Sequence, residues 1–289
     1  GIKKYEDPRS LTLFERLKDM LLTLLVRKKV GERFGGRLKA FVSGGAALNP
    51  DIGKFFLALN VDLLQGYGQT EASPVVSANL PSKIKIHTVG PALRGVQVRI
   101  AEDGEILIAG DLLMKGYWKD PDTTAATIID GWLHTGDIGL IDQDGYIEIT
   151  DRKKDIIVNS GGDNIAPQRI EGFLDLQPEI AQSMVYGDSK PHIVALIVPQ
   201  QEFASDWAKA NGKTPEMAAL VTDPDFRKAI AAAVDRVNTD MSVIERVRKF
   251  MLTAEPFTTD NGMMTPSMKT RRHVIRENFG DALEALYTR

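Results

Sequence analysis

Gly66-Tyr67-Gly68-Gln69-Thr70-Glu71 sets two glycines, an aromatic ring, a hydroxyl and a carboxylate side by side, directly after the apolar run Val61 to Leu64. Glycine lets a backbone come close to a ligand. A flat ring suits a nucleobase, a hydroxyl suits a phosphate oxygen, and a carboxylate suits Mg²⁺, a hard cation that prefers oxygen. The combination fits a nucleotide site. Taken alone it also fits a strand-to-loop turn with an incidental Glu. A second loop of tiny residues, Gly44-Gly45-Ala46-Ala47, offers a slot for a flat group or a tight strand-to-helix turn.

The elements around these residues set where they sit. Leu38 to Ser43 reads as a buried strand that runs into the Gly44 loop, and Asn49-Pro50 opens a helix. The strand from Val61 then runs into the hexapeptide. Strand, small-residue loop, helix, strand, small-residue loop is the rhythm of a parallel α/β sheet, in which ligands gather at the carboxyl ends of the strands. From Val89 the texture turns to β. Val96, Val98 and Ile100 alternate with polar residues, a turn follows at Glu102-Asp103-Gly104, and Ile106 and Ile108 resume the alternation. A second hairpin is expected at Asp142–Gly145, leading into Tyr146, Ile147 and Ile149. The charged run Asp151-Arg152-Lys153-Lys154-Asp155 breaks this pattern and marks a domain boundary. Beyond it the sequence predicts a helix near 167–176, a hairpin through Val185 and Val194–Val198, a helix near 225–241 and a terminal helix.

Near the amino end, Leu13, Leu17, Met20, Leu21, Leu24 and Leu25 recur at helical spacing behind a Thr12/Glu15 capping box, with Asp19, Arg27 and Lys28 toward the polar side. Such a stripe ordinarily packs on a core. A membrane-facing amphipathic helix with a basic end is the alternative, and it leaves peripheral membrane contact open.

The 289 residues suffice for two domains, and 43% hydrophobic with 26% charged residues is ordinary for a globular protein. A net charge of -3 gives no footprint for nucleic acid. Cysteine is absent, which excludes disulfides, Cys–Zn sites and a Cys nucleophile and accords with a cytoplasmic location. No run reaches the ~18–20 apolar residues that span a bilayer. The chain opens at Gly1, without a start methionine, in what reads as mid-domain sequence, so a fragment is expected.

Further motifs follow the hexapeptide in a fixed order. They are Gly104-Glu105-Ile106 with Gly110, Gly116-Tyr117-Trp118, Gly131-Trp132-Leu133-His134-Thr135-Gly136-Asp137, Asp151-Arg152-Lys153-Lys154-Asp155, and finally Lys269. With them the chain resembles the carboxyl-terminal half of the adenylate-forming acyl-CoA synthetases, a superfamily that includes acyl-CoA ligases, luciferases and peptide-synthetase adenylation domains. The resemblance implies an α/β fold. Residues 1–150 would be the end of the large AMP-binding domain, with the close of a parallel sheet and a small antiparallel β subdomain. Residues 151–289 would be a mobile α+β lid, hinged near 151–155. It also implies ATP, Mg²⁺ and coenzyme A, with a fatty acid as the activated substrate.

By the same resemblance Gly44, Gly45 and Ala46 flank the adenine, Gly66, Tyr67 and Gly68 carry the base stack, Thr70 contacts the α-phosphate and Glu71 holds the metal. Asp137 would accept from the ribose hydroxyls, Arg152 would sit beside them, and Lys154 would be the hinge. Gly161, Gly162 and Asn164 would line the coenzyme A side. Lys269 would bridge the α-phosphate and the substrate carboxylate, as a flexible ammonium can. Each has a plainer alternative: a turn Asp, solvated charges at Arg152 and Lys269, a glycine turn at Gly161. His134, Trp118 and Trp132 are expected to be structural, the tryptophans as core anchors. Many relatives carry Gly where this chain has Met268. Together with the charged hinge and Ser160-Gly161-Gly162, Ser267-Met268-Lys269 is closest in type to the long-chain fatty acyl branch. The family's Ser/Thr/Gly-rich phosphate loop is not found, so the chain alone is expected not to turn over. Loading of a carrier protein, or a non-catalytic binding module, are the competing readings. The oligomeric state is left open.

Overall fold

The computed structural model describes residues 11–46 and 48–288. Ala47 of the small-residue loop, the opening at Gly1 with residues 2–10, and Arg289 lie outside the described residues. The chain divides into two compact units, Gly1–Lys154 and Asp155–Arg289. It is a mixed α/β protein with several small sheets.

The first unit opens with α1 (Leu13–Leu22), started by the expected capping box: Glu15 N–H donates to Thr12 Oγ1, and Thr12 N–H to Glu15 Oε2 at 2.8 Å. It runs through a π-helical turn (Thr23–Arg27) into α2 (Lys28–Arg33). The expectation that this stripe packs on a core is not met among the described residues, since no side chain of α1 is buried and Leu13 is 87% exposed. The buried member is Arg27, which was expected on the polar side. It donates to Ala58 O at 2.8 Å and pairs with Asp19 Oδ1 at 2.7 Å. A π turn carries an extra residue relative to the α repeat, which displaces the face that follows and turns Arg27 inward.

β1 (Ala40–Ser43) and β2 (Asp62–Tyr67) pair in parallel, Ala40 opposite Asp62 and Ser43 opposite Gln65. α3 (Pro50–Ala58) joins them, with Asp51 N–H donating to Asn49 Oδ1 at 2.8 Å and Pro50 at the first position, where its missing N–H costs nothing. β1 is shorter than predicted and is not buried. Among the described residues it pairs on one side only, and Val42 stands 76% exposed. β3 (Ser77–Ala78) closes this sheet antiparallel to β2.

The antiparallel subdomain follows as read. β4 (Gln97–Ile100) and β5 (Glu105–Ala109) form a hairpin whose turn needs the positive φ of Gly104, +85°. After α4 (Pro121–Thr127) and β6 (Ile128–Ile129), β7 (Trp132–Ile141) pairs with β5, β6 and β8 (Ile147–Arg152). Ile106, Ile108, Leu133 and Ile147 are essentially buried, each contributing about 1.5–3 kcal/mol of hydrophobic stabilisation. Trp118 is no core anchor: it is 88% exposed on a loop, because Tyr117 takes the inward position beside it. Trp132 is half-buried and lies under the Arg99 guanidinium, 4.2 Å from the ring centre.

The second unit begins with β9 (Ile157–Val158), β10 (Asn164–Ile165) and α5 (Pro167–Leu174). Its main sheet has the order β11 (Ile180–Tyr186), β12 (Ile193–Pro199), β13 (Val247–Leu252). Every residue of the central β12 is buried. Ile193, Ala195 and Ile197 join one core with α5, α6 (Gln201–Ala210), α7 (Met217–Leu220) and α8 (Pro224–Thr239). Val194, Leu196 and Val198 face the other core, with α9 (Arg272–Ala285). Period-two alternation between two cores explains why this strand reads as an unbroken apolar run.

Glu105 is a buried carboxylate of the first unit. Its oxygens accept from Gly136 N–H at 2.8 Å and Lys153 Nζ at 3.2 Å, with His134 Nδ1 at 3.3 Å. Burial pushes its carboxyl up, but these three partners outweigh burial and hold it below its ordinary value of 4.5. The folded protein therefore binds this proton less readily than the unfolded chain. The carboxylate adds stability above about pH 4.5 that is lost as pH falls through the depressed folded value. Glu105→Gln is expected to lower stability at neutral pH and to flatten its decline below about pH 4.5. Urea unfolding curves across pH 3–7 check this, and an unchanged pH slope would refute it.

Candidate active site

Parallel pairing of β1 and β2 brings both small-residue loops to the carboxyl ends of their strands. The glycines there are required first by the chain itself. A Cβ on Gly44 would lie 3.2 Å from Gly66 O, and one on Gly66 would lie 3.2 Å from Ser77 O. At Gly68 a Cβ would sit 1.8 Å from Pro74 O, so no side chain fits. Gly45 holds a φ of +88°. Ala46 is exposed beside it.

The centre of the site is Asp137 on β7, 4% exposed. Three donors converge on its carboxylate. Tyr67 Oη donates to Oδ2 at 2.6 Å, Gln69 Nε2 to the same oxygen at 2.7 Å, and Arg152 Nε to Oδ1 at 3.0 Å. Arg152 is the residue directly opposite Asp137 in the β7–β8 ladder. Asp137 N–H donates to Thr135 Oγ1, which in turn donates to Ile106 O. Burial, then the neighbouring Asp137 charge, push the Tyr67 hydroxyl far up, so it stays a proton donor. A carboxylate has about four lone-pair sites, so three donors leave little capacity, and an incoming hydroxyl must use the remainder or displace one of them.

Tyr67 was expected to stack on a base. Its ring lies in the apolar cluster with Ala72, Val76, Ile106 and Leu133 and is 9% exposed. Stacking on a base needs a wider opening of that ring. Thr70 is exposed at the start of a single 3₁₀ turn (Thr70–Ala72), and Glu71 follows it, partly exposed. Tyr117 Oη donates to Glu71 Oε1 at 2.9 Å, and burial followed by this hydrogen bond to Glu71 pushes that hydroxyl up. Glu71 O accepts from Met114 N–H at 2.8 Å. Among the described residues no group of three His, Asp or Glu could form a metal cage. A single carboxylate fits Mg²⁺ all the same, because Mg²⁺ is usually held by one or two carboxylates plus substrate phosphates.

Sequence reasoning did not single out Gln69 or Tyr117 as partners, though each lies inside a motif. Gln69 also donates to Thr135 O at 2.9 Å and so spans from the hexapeptide to β7. Just before Lys154, the last residue of the first unit, Lys153 is fastened through its N–H to Gly136 O at 2.8 Å and through its ammonium to Asp103 and Glu105.

The other candidates belong to the second unit. Asn159 Oδ1 accepts from Gly161 N–H at 2.8 Å and from Asp163 N–H at 2.9 Å, Gly162 has a φ of +84°, and Asn164 pairs with Val158. This is an Asx-stabilised turn before α5. Lys269 is exposed on a tight loop. Thr265 N–H donates to Lys269 O at 2.8 Å, and Lys269 N–H to Thr265 Oγ1 at 3.0 Å. Met268 occupies the left-handed region at φ +61°, the conformation that favours glycine.

Three substitutions test the local geometry. Tyr67→Phe should cost about 1.5–3 kcal/mol, the usual worth of a hydrogen bond to a charged group, measured by urea unfolding at neutral pH. No loss would mean that Asp137 is satisfied without it. Gly68→Ala should be more damaging than Gly44→Ala in the same assay, because a Cβ at 68 meets backbone at 1.8 Å rather than 3.2 Å.

Residues 4–118 match the family model of the AMP-binding enzymes, and residues 154–289 match that of the AMP-binding enzyme C-terminal domain. The chain is similar to the long-chain-fatty-acid–CoA ligase FadD15 of Mycobacterium bovis, at 40% identity over 279 residues, 96% of this chain and 46% of the relative. It is 32% identical to the long-chain-fatty-acid–CoA ligase 1 of Homo sapiens, over 91% of this chain and 40% of that protein. It therefore spans less than half the length of either. Among solved structures, the adenylation domain of a carboxylate reductase from Mycobacterium chelonae superposes with a TM-score of 0.74 at 26% identity, covering 99% of this chain and 44% of that one. A didomain of the carboxylic acid reductase from Segniliparus rugosus, in complex with AMP, shares the fold with a TM-score of 0.71 at 24% identity, over 99% of this chain and 39% of that one. With both parts of the family matched in order, the chain belongs to the AMP-binding, adenylate-forming enzymes.

Proposed function

We propose that the protein containing this chain activates a long-chain fatty acid with ATP and passes it to coenzyme A. The observation that carries this reading is the buried Asp137 carboxylate, gathered by Arg152 and by Tyr67 and Gln69 of the glycine-bearing hexapeptide. A buried acceptor with a remaining lone pair beside such loops suits the vicinal hydroxyls of a ribose. The names of the similar ligases support a fatty acid and coenzyme A as substrates.

In the first step a carboxylate oxygen attacks the α-phosphorus and pyrophosphate leaves, giving an acyl-adenylate. In the second, the thiolate of coenzyme A attacks the acyl carbon and AMP leaves. The first step brings anions together, so the protein's task is positioning and charge neutralisation. Gly44, Gly45 and Ala46 would flank the adenine with Gly66, Tyr67 and Gly68. Thr70 would donate to the α-phosphate, and Glu71, oriented by Tyr117, would hold Mg²⁺. Mg²⁺ supplies charge neutralisation on the phosphates when bound. Lys269 would bridge the α-phosphate and the attacking carboxylate. Lys154 would be the hinge on which the second unit turns between steps, and Gly161, Gly162 and Asn164 would face the thiol substrate. A second reading is transfer to a carrier protein. The likeness to a carboxylate reductase adenylation domain favours it, and consumption of coenzyme A by the complete enzyme decides between the two.

In the complete enzyme, Lys269→Ala is expected to reduce pyrophosphate release by ~10²–10³, the scale for one lost transition-state donor. Thioester formation from supplied acyl-adenylate should persist. Equal loss in both half-reactions would contradict this assignment. The 289-residue chain alone is expected to bind AMP weakly and to release no pyrophosphate, which calorimetry and a pyrophosphate assay check.

A further inference from the structure

Lys269 lies on a loop whose two ends are held differently. At its start Met263 is 2% exposed and belongs to the core beneath α9. Across the loop, Arg271 N–H donates to Met263 O at 2.8 Å, and Met264 bridges Thr270. At its end α9 begins with Arg272, three residues past Lys269. A cation at a helix N-terminus opposes the helix dipole, and the first turn of α9 contains no acidic residue to offset it. The side chain of Arg272 is nevertheless only 16% exposed. Its guanidinium reaches out of the helix to Glu171 on α5, with Nη1 at 2.7 Å from Oε1 and Nη2 at 2.5 Å from Oε2.

Glu171 itself is 7% exposed, and its Oε1 also accepts from Val185 N–H of β11 at 2.8 Å. One carboxylate thus ties α5, β11 and the first residue of α9. A buried ion pair is weak evidence for net stability, since well-packed apolar residues often do as well. What a two-pronged guanidinium–carboxylate pair supplies is fixed geometry. Here the geometry it fixes is the end of the Lys269 loop. Lysine has a long flexible stem, so the place its ammonium can reach depends on how firmly its backbone root is held.

We propose that Glu171 is a positioning residue for Lys269: by clamping Arg272 it sets where the Lys269 ammonium emerges, and it acts in adenylation but not in thioester formation. This rests on the role given to Lys269 above. A merely structural pair would weaken both half-reactions alike and would add its effect to that of losing Lys269.

The test uses the complete enzyme and two assays: ATP–pyrophosphate exchange, and thioester formation from supplied acyl-adenylate. Glu171→Gln keeps the shape and an acceptor for Val185 but removes the charge. Its adenylation kcat is expected to fall about 10–100-fold, the scale of a small misplacement of a catalytic group. Thioester formation should stay within about 2-fold, and the double variant with Lys269→Ala should be no slower than Lys269→Ala alone. Equal loss in both assays, or a further fall in the double variant, overturns the positioning role. If Lys269→Ala itself leaves adenylation intact, the role of Lys269 fails and this one with it. Thermal unfolding reports whether Glu171→Gln folds. If it does not, Arg272→Lys, which keeps the charge and loses the two-pronged contact, is put through the same comparisons with the same expected split.

Discussion

A carboxylate taken out of water stays ionised only where donors meet it; otherwise it takes up a proton or destabilises what surrounds it. Asp137 imposes that demand on the first unit, and the answer comes from two separate stretches of chain. Tyr67 closes β2, Gln69 lies just beyond it, and Arg152 sits across the ladder on β8. The parallel sheet and the antiparallel subdomain are thereby joined at one charge. The same charge draws the hexapeptide toward β7, so folding and site assembly share a cause. Glu105 repeats the device on a smaller scale, gathering Gly136, His134 and Lys153 close to the residues that precede Lys154.

Much of this architecture was legible in the sequence because its signals were local. The two hairpins sit at Gly104 and Gly145, both at positive φ. The helix caps at Thr12 and Asn49 announced themselves by residue type. β12 was visible because burial on both faces leaves an unbroken apolar run. β13 escaped notice. It carries Arg248 and Lys249 side by side, both exposed, which hides the alternation of Val247, Phe250 and Leu252. α6 escaped as well, because its fully buried positions are Ala204 and Ala208, small residues with little hydrophobic signal.

The site was legible in its residue types and less so in its wiring. Asp137 and Arg152 were named for a ligand, yet in the structure they hold each other. Spacing along the chain cannot reveal this, since the register that leaves the Asp142–Gly145 turn shifts by one residue between Gly139 and Ile138, and that irregularity sets Arg152 opposite Asp137. Gln69 and Tyr117 were passed over because an amide and a phenol have no chemistry of their own that stands out; their importance lies in which carboxylate each reaches. Trp118 misled in the opposite direction. A large ring suggests a core, but alternation beside an inward Tyr117 leaves it outside. Met268 shows a departure with a visible reason: the residue before Lys269 bends into the left-handed region, where glycine is at ease and methionine is strained.

Gly68 has a consequence for how relatives of this chain are judged. Its hydrogen faces the carbonyl of Pro74 at a distance that excludes any larger substituent. A descendant that had abandoned nucleotides altogether would still need glycine there to fold. Persistence of that glycine is therefore a poor diagnostic of a working enzyme. An intact Gln69 and Tyr117 are more discriminating markers, because mutation could erase either without a comparable steric clash.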